Sequence, residues 1–508
     1  MPGSDFRSEV RALIAEILAG LAAILDWQVL GFLAVGVSLG AVFGSLPGLT
    51  ATMGVAVLTP LTFWVSAEQG LAMLLGIYCG AIPAGGIPAI LINVPGTPAS
   101  IATTWDGYAL TRKGSAGLAL GVNAIASAVG QLTSIMFLAF LAFPIARFAL
   151  QFGPAEYFGL ALLGISLMAG VSGRHVIKGM LAGMLGLALA LVGLDPMTAY
   201  PRYTFGMSEF LDGISFVPVM IGLFGLGEVL IQISERHKAR KSASAEIGRI
   251  LPSAPEARTM AGATFSGATV GTMVGAIPAA GGDIGSVIAW EQARRASKDK
   301  DSFGKGSLRG LAASCSACNA AIGGAMTTML TLGIPGDAVS AILIGALLIH
   351  GIQPGPLLFA GNQSFVFSIV FLLVFASLLI MAVGLLGARP LARILNIPPP
   401  WLWTGIVLFG TVGAYALNNA TVDVWAMYAA GLAGFLFRKA RIPLGPLVLG
   451  LILGPMMESN LRRALILSRG DWLGLLTRPI LLVFLAATVL SLLWPLIRRK
   501  LASTNPQP

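Results

Sequence analysis

Charge is what this sequence has least of. Only 11% of its 508 residues are Asp, Glu, Lys or Arg, against roughly 25% in soluble domains. A water-facing surface cannot be made from so few charges, so a soluble globular protein is excluded and most of the outer surface has to face lipid. Histidine is scarce, with only His175, His237 and His350, and no HExxH pair occurs to hold a catalytic zinc. There is no GxxxxGK[ST] phosphate loop, so the chain is not expected to hydrolyse ATP. Gly281-Gly-Asp283 is not a GxGD element, because Ala occupies position 280. An enzyme is therefore not expected. The three cysteines, Cys79, Cys315 and Cys318, lie in apolar or Gly-rich stretches. They form no metal-ligand set, and the CxxC spacing of Cys315 and Cys318 lacks the βαβ surroundings of a redox motif. A secretory leader is not expected either, since Asp5, Glu9 and Glu16 interrupt the first residues.

What is abundant is apolar sequence: 56% of residues are hydrophobic and the mean hydropathy is +0.85. At roughly 20 residues per helical crossing, the apolar stretches allow about 10 to 12 spans. The expected fold is an all-α polytopic membrane protein. The net charge of +10 sits in short loops between apolar segments, as the positive-inside rule requires. The lipid bilayer, and no nucleic acid, is the expected partner of that charge. Residues 1–28 read as an amphipathic lead-in, 29–233 as a first transmembrane half, 234–258 as a basic cytoplasmic linker, 259–497 as a second half and 498–508 as a basic tail.

The chain contains a repeat. Gly44-Ser-Leu-Pro47-Gly48 resembles Gly275-Ala-Ile-Pro278-Ala279, and Ala81–Ser100 aligns without gaps on Ala321–Ser340. Between the two landmarks the first copy carries Glu68 and no Lys or Arg. The second carries Arg294, Arg295, Lys298, Lys300, Lys305 and Arg309 there. After the second landmark the pattern reverses: Arg112 and Lys113 follow in the first copy, and no Lys or Arg appears before Arg389 in the second. Corresponding loops are thus expected on opposite sides of the membrane, as in the inverted repeats of secondary transporters.

Proline and glycine mark where the membrane segments must break. Val94-Pro-Gly-Thr-Pro98 cannot continue a helix, and irregular backbone at membrane depth is tolerated only where protein buries it or water lines it. Broken helices present free N–H groups that suit anions and free carbonyls that suit cations. The expected substrate-binding residues are Pro47, Gly48, Thr50, Asn93, Pro95, Gly96, Thr97, Ser100, Pro278, Pro335, Gly336 and Ser340. The expected ion-coupling residues are Thr52, Gly85, Gly86, Gly281, Gly282, Asp283, Asn319 and Asp337. Asp283 and Asp337 stand where the first copy has Thr52 and Thr97. An ionisable residue inside a membrane segment is a functional hypothesis by default, and the competing reading is a helix N-cap, since each follows a glycine. No Lys or Arg lies within the tip motifs, so an anion there would be held by N–H groups, hydroxyls and a co-bound cation.

Together these stretches resemble the large membrane subunit of the tripartite tricarboxylate transporters, the TctA family. The motifs that carry the resemblance are Gly44–Leu49, Asn93–Ser100, Asp106-Gly-Tyr-Ala-Leu-Thr-Arg-Lys-Gly114, Phe303-Gly-Lys-Gly306, Leu330–Gly336 and Gly351-Ile-Gln-Pro-Gly-Pro-Leu-Leu-Phe359, in family order over residues 40–360. The resemblance implies a cation-coupled importer of citrate or a related carboxylate in the bacterial inner membrane. It also implies a periplasmic solute-binding protein and a small membrane subunit as partners, sodium or a proton as coupling cation, no other cofactor, and elevator-like alternating access. The chain departs from the family where Ser314-Cys-Ser-Ala-Cys-Asn-Ala320 replaces an acid and an Asn, and in the added Asp283 and Asp337. A less anionic substrate or proton coupling fits those carboxylates, and a stand-alone cation-coupled transporter or antiporter stays open beside the tripartite reading.

Overall fold

Long apolar runs without period-two alternation make helices, and the structure is built almost wholly of them. The computed structural model describes residues 3–171, 176–235, 247–278, 280–394 and 399–504. His175, His237, Ala279, the centre of the expected linker (236–246) and the last four residues of the tail lie outside the described residues. Among the described residues, seven helices are long and apolar enough to cross a bilayer, and five shorter apolar helices accompany them.

In chain order the first helices are α1 (Gly3–Ile24), α2 (Trp27–Ser45), α3 (Ala51–Leu58), α4 (Ala67–Ala84), α5 (Gly86–Ile92), α6 (Ile101–Arg112) and α7 (Ala116–Ala149). There follow α8 (Pro154–Val171), α9 (Val176–Ala190), α10 (Phe216–Met220) and α11 (Gly227–Ser234). The second copy of the repeat comprises α12 (Ala254–Gly275), α13 (Gly281–Ala296), α14 (Leu308–Leu332) and α15 (Ala338–Ile349). Then come α16 (Pro356–Gly361), α17 (Gln363–Leu386), α18 (Ala388–Ile394), α19 (Pro399–Asn418), α20 (Thr421–Lys439), α21 (Leu444–Leu467), α22 (Trp472–Leu475) and α23 (Pro479–Thr504). The chain folds as two compact units. Residues 1–146 and 232–409 form the first, and residues 147–231 and 410–508 the second. Both copies of the repeat lie in the first unit.

That unit is organised by two helix pairs of the same design. Small residues let membrane helices approach closely enough for dispersion to hold them without a hydrophobic driving force. On α2, Gly36, Gly40 and Gly44 lie so close to α4 that an added Cβ would stand 2.2, 2.5 and 2.0 Å from the carbonyl oxygens of Met73, Ile77 and Ala81. On α12, Gly267, Gly271 and Gly275 meet the carbonyls of Ala313, Ala317 and Ala321 on α14 at 2.5, 2.2 and 2.4 Å by the same measure. Both pairs are parallel, and they occupy equivalent positions of the two copies.

The copies run in opposite directions. Along α6 and α14, Thr103 lies by Cys315 while Gly107 lies by Leu311, so these two helices are antiparallel. α6 runs in the same sense as α5, with Ser100 beside Gly85 and Thr111 bonded to the Ile90 carbonyl at 2.8 Å. The inversion expected from the mirrored charges is therefore present in the packing.

The second unit pairs α9 with α21. An added Cβ at Gly186 would lie 1.9 Å from the Leu447 carbonyl, and one at Gly450 would lie 2.3 Å from that of Gly183. Among its described residues the one β element is a two-stranded antiparallel hairpin, β1 (Gly193–Leu194) with β2 (Pro201–Arg202). Asp195, Arg202, Glu458 and Arg462 tie this hairpin to α21 through contacts of 2.6–3.5 Å. Glu156 pairs with Arg478 at 3.2 Å. Asp195, Glu156 and Glu458 thus serve as ion-pair anchors.

Candidate functional site

Each copy of the repeat breaks twice, at equivalent places. α2 ends at Ser45, Gly48 adopts φ +90°, and Thr50 caps α3 by accepting the Met53 N–H at 3.2 Å. In the second copy α12 ends at Gly275, and the chain turns through Pro278 to Gly281, at φ +57°, where α13 begins.

The second break of each copy is the more elaborate. Asn93 ends α5 in the left-handed conformation (φ 57°), and Gly333 ends α14 in the same one (φ 71°). Glycine adopts this freely, whereas Asn is among the few side-chain-bearing residues that tolerate it. The chain then doubles back. The Gly96 N–H donates to the Gly85 carbonyl at 3.0 Å. A Cβ on Gly96 would stand 2.1 Å from the Gly44 carbonyl, and one on Gly336 would stand 2.7 Å from that of Gly275. Gly96 and Gly336 thus bring the returning backbone against the carbonyl end of the helix that precedes the first break. Pro95 and Pro335 sit within these extended returns.

Two short helical starts follow. Thr97 and Ser100 are buried, their hydroxyls 3.0 Å apart, and both crowd Gly85. In the other copy Asp337 caps α15: its carboxylate accepts the Ser340 N–H at 2.8 Å, and the Asp337 N–H donates to the Ser340 hydroxyl oxygen at 2.9 Å. The N-cap reading of Asp337 is correct as geometry. It is also incomplete, because its second carboxylate oxygen accepts the hydroxyl proton of Tyr78, a fully buried residue on α4 of the opposite copy. Asp283 does not cap α13; it lies in that helix's first turn and is exposed.

The breaks of one copy meet those of the other. Ala99 lies beside Gly282, where an added Cβ would be 3.3 Å from it and 2.7 Å from the Cys318 carbonyl. The helix α3 that carries Thr52 packs on α15, which Asp337 caps. The tip with Thr97 and Ser100 is thereby joined to Gly282, and the helix capped by Asp337 to the helix capped by Thr50. Gly86 lies instead against Asn123, whose side-chain amide donates to the Pro83 carbonyl at the helix break, at 2.9 Å. Asn319 is buried behind the tips: its amide donates to Ser127 at 2.7 Å and to the Cys315 carbonyl at 2.8 Å, and its own oxygen has no partner. Pro47 and Gly48 are drawn elsewhere, the Gly48 carbonyl accepting the Gln232 amide at 2.5 Å.

Two residues central to this geometry were not singled out in the sequence. Tyr78 sits in an unbroken apolar run, and nothing local marks it. Asp106 anchors the two copies to each other. One of its oxygens accepts the backbone N–H groups of Gly304, Gly306 and Ser307 at 2.8, 2.9 and 2.8 Å, and the other accepts Trp290 Nε1 at 2.7 Å. Its signal was present, since a buried acid within Asp106-Gly-Tyr calls for donors, and the glycines of Phe303-Gly-Lys-Gly306 supply them.

Antiparallel copies with interleaved broken-helix tips, inside a strongly apolar helical protein, define a membrane transport protein of the inverted-repeat class. The chain belongs to the tripartite tricarboxylate transporter TctA family, whose model matches residues 30–449. It is similar to an uncharacterized 52.8 kDa protein in the TAR-I ttuC' 3' region of Agrobacterium vitis, with 37% identity over 92% of this chain and 93% of that protein. A second protein of the same organism, uncharacterized and in the TAR-II ttuC' 3' region, is 35% identical over 45% of this chain and 96% of its own length. No solved structure matches.

Proposed function

We propose that this chain is the transport subunit of a tripartite importer in the bacterial inner membrane. A periplasmic solute-binding protein would deliver a tricarboxylate or related small carboxylate, and a small membrane subunit would complete the complex. A cation gradient, of sodium or protons, drives uptake. The observation that carries this reading is the Asp337–Tyr78 contact. It puts one ionisable group where the two copies cross, beside hydroxyls, backbone N–H groups and helix-end carbonyls.

In this scheme the hydroxyls of Thr97 and Ser100, buried at the start of a short helical turn, hold carboxylate oxygens, as helix N-termini do. The carbonyl ends at Gly44 and Gly275, with Thr52, Asn319, Asp283 and Asp337, serve the cation. Releasing the substrate to the other side requires these contacts to be lost together, which a shared tip cluster permits.

The test is uptake of labelled citrate into proteoliposomes holding the purified chain and its small subunit, with and without the binding protein. Sodium and proton gradients are imposed separately. Uptake that needs the binding protein and one gradient supports the reading. Uptake indifferent to the binding protein would turn it toward a stand-alone transporter, and no uptake under either gradient would defeat it.

A further inference from the structure

A cavity of 330 Å³ opens beside the first tip, on the face that carries the basic loops, and is lined by Asn93, Trp105, Tyr108, Arg112, Trp290 and Gly304. We propose that it is a second binding site for a small organic carboxylate, separate from the crossing of the tips. The choice of carboxylate rests on the function proposed above; the existence of an anion site does not.

Three features support it. The volume lies at the lower end of the range of small-molecule sites, roughly 300–1,000 Å³, which suits a ligand of citrate size and is small for a nucleotide. The walls are rigid: Trp105 and Trp290 meet edge to face at 4.7 Å, and Trp290 is fixed by its bond to Asp106. A preorganised wall lowers the ordering cost of binding.

The third feature is the charge. The Arg112 guanidinium stands 6.0 Å from the Tyr108 ring, and among the described residues it forms no ion pair. Guanidinium presents a planar fork that matches a carboxylate, and it stacks on aromatic faces. The nearby carboxylate of Asp106 is already occupied by four N–H donors, so it does not claim Arg112. Lys113 and Lys305 lie next in chain to lining residues, and like charge around a cleft raises the local anion concentration. Asn93 belongs both to this cavity and to the tip, which places the site where a carboxylate leaving the tip toward the basic face would pause.

The test uses the full-length protein in detergent, with tryptophan emission titrated by citrate, succinate and inorganic phosphate. Saturable change with a carboxylate is expected. Arg112→Gln should weaken it by roughly ten- to a hundredfold, the loss of a charge-assisted hydrogen bond, and Arg112→Lys should fall between. Trp105→Phe should reduce the amplitude while binding persists. Asp337→Asn should leave this titration unchanged, so a failure of uptake in proteoliposomes does not bear on it. Equal affinity in Arg112→Gln, no response to either carboxylate, phosphate binding as tight as citrate, or a response abolished by Asp337→Asn would each overturn the assignment.

Discussion

Removing the Asp106 carboxylate should release the basic loop between α13 and α14. The side chain accepts three backbone N–H groups and one indole N–H. Hydrogen bonds to a charged group contribute about 1.5–3 kcal/mol each, and four taken independently would give about 6–12 kcal/mol. That sum is too large. Gly304 is exposed and Gly306 half-buried, so water can take over part of what Asp106 held. Removing the acid also relieves its own desolvation. A net loss of about 3 kcal/mol, at the low end for breaking a buried charged network, is the reasoned figure for Asp106→Ala. Applied to local opening of the loop, this raises the open population on the order of a hundredfold. The loop carries Lys298, Lys300 and Lys305, so tryptic nicking of the detergent-solubilised protein reports that opening directly. Asp106→Asn should be intermediate, because one amide oxygen still faces the three backbone donors while the amide nitrogen opposes Trp290 Nε1. A wild-type nicking rate in Asp106→Ala would refute the reasoning, since among the described residues no other acceptor is bonded to those three N–H groups.

Asp337→Asn keeps an oxygen for the Ser340 N–H and one group for Tyr78, so membrane levels should match wild type while the dependence of uptake on the coupling cation is lost; unchanged sodium and pH dependence in proteoliposomes would remove Asp337 from coupling. Gly44→Ala should destabilise by about 1–3 kcal/mol or more as an overpacked contact, because its Cβ would stand 2.0 Å from the Ala81 carbonyl; Gly262→Ala, with nothing within 4 Å, should be neutral or gain up to about 1 kcal/mol. Thermal unfolding of the two variants side by side checks the pair. The Asp195 carboxylate is held below the usual range by the backbone N–H groups of Thr198 and Met197 and by Arg462. A depressed folded value stabilises the 191–215 loop above the ordinary aspartate pKa of about 3.9. The contribution is lost only as pH falls further, through the lowered value. Hydrogen-exchange protection factors in that loop, corrected for the pH dependence of intrinsic exchange, should therefore be flat from neutral pH to about 4 and fall below it in wild type, and already be lowered at neutral pH in Asp195→Asn.

The sequence exposed the frame more readily than the chemistry, for a physical reason. Proline and glycine act on their own backbone, so Val94-Pro-Gly-Thr-Pro98 announces a break wherever it stands, and mirrored Lys and Arg announce sidedness. The Gly36, Gly40, Gly44 ladder and its counterpart at Gly267, Gly271 and Gly275 stand in the sequence as a four-residue period of small residues, but beyond Gly44 and Gly275 they were not singled out there. Tyr78 was not. Its role depends on Asp337, 259 residues away, and a tyrosine in an apolar helix otherwise reads as core. Asp337 itself was legible only as a choice between cap and function, because one carboxylate oxygen makes the cap and the other makes the contact across the repeat.

That contact explains why the two copies differ in pairs of residues and not singly. The gapless alignment that sets Thr97 opposite Asp337 also sets Cys318 opposite Tyr78. At one crossing a long phenol meets a carboxylate, and the two fill the space between copies with a charge-assisted bond. At the equivalent place in the other copy stand a short hydroxyl and a buried thiol, Thr97 and Cys318, which cannot span the same distance. Symmetric backbones with unequal side chains thus leave one crossing bridged by a side-chain hydrogen bond between copies and the other closed by small residues, Ala99 against Gly282. If substrate and cation divide between the two, the cation belongs with Asp337 and Tyr78, and the carboxylate with Thr97 and Ser100. Tyr78→Phe separates these roles: it should alter cation dependence while leaving the affinity for citrate within about twofold, an effect below 0.5 kcal/mol. A large loss of citrate affinity with unchanged cation dependence would reverse the assignment of the two crossings.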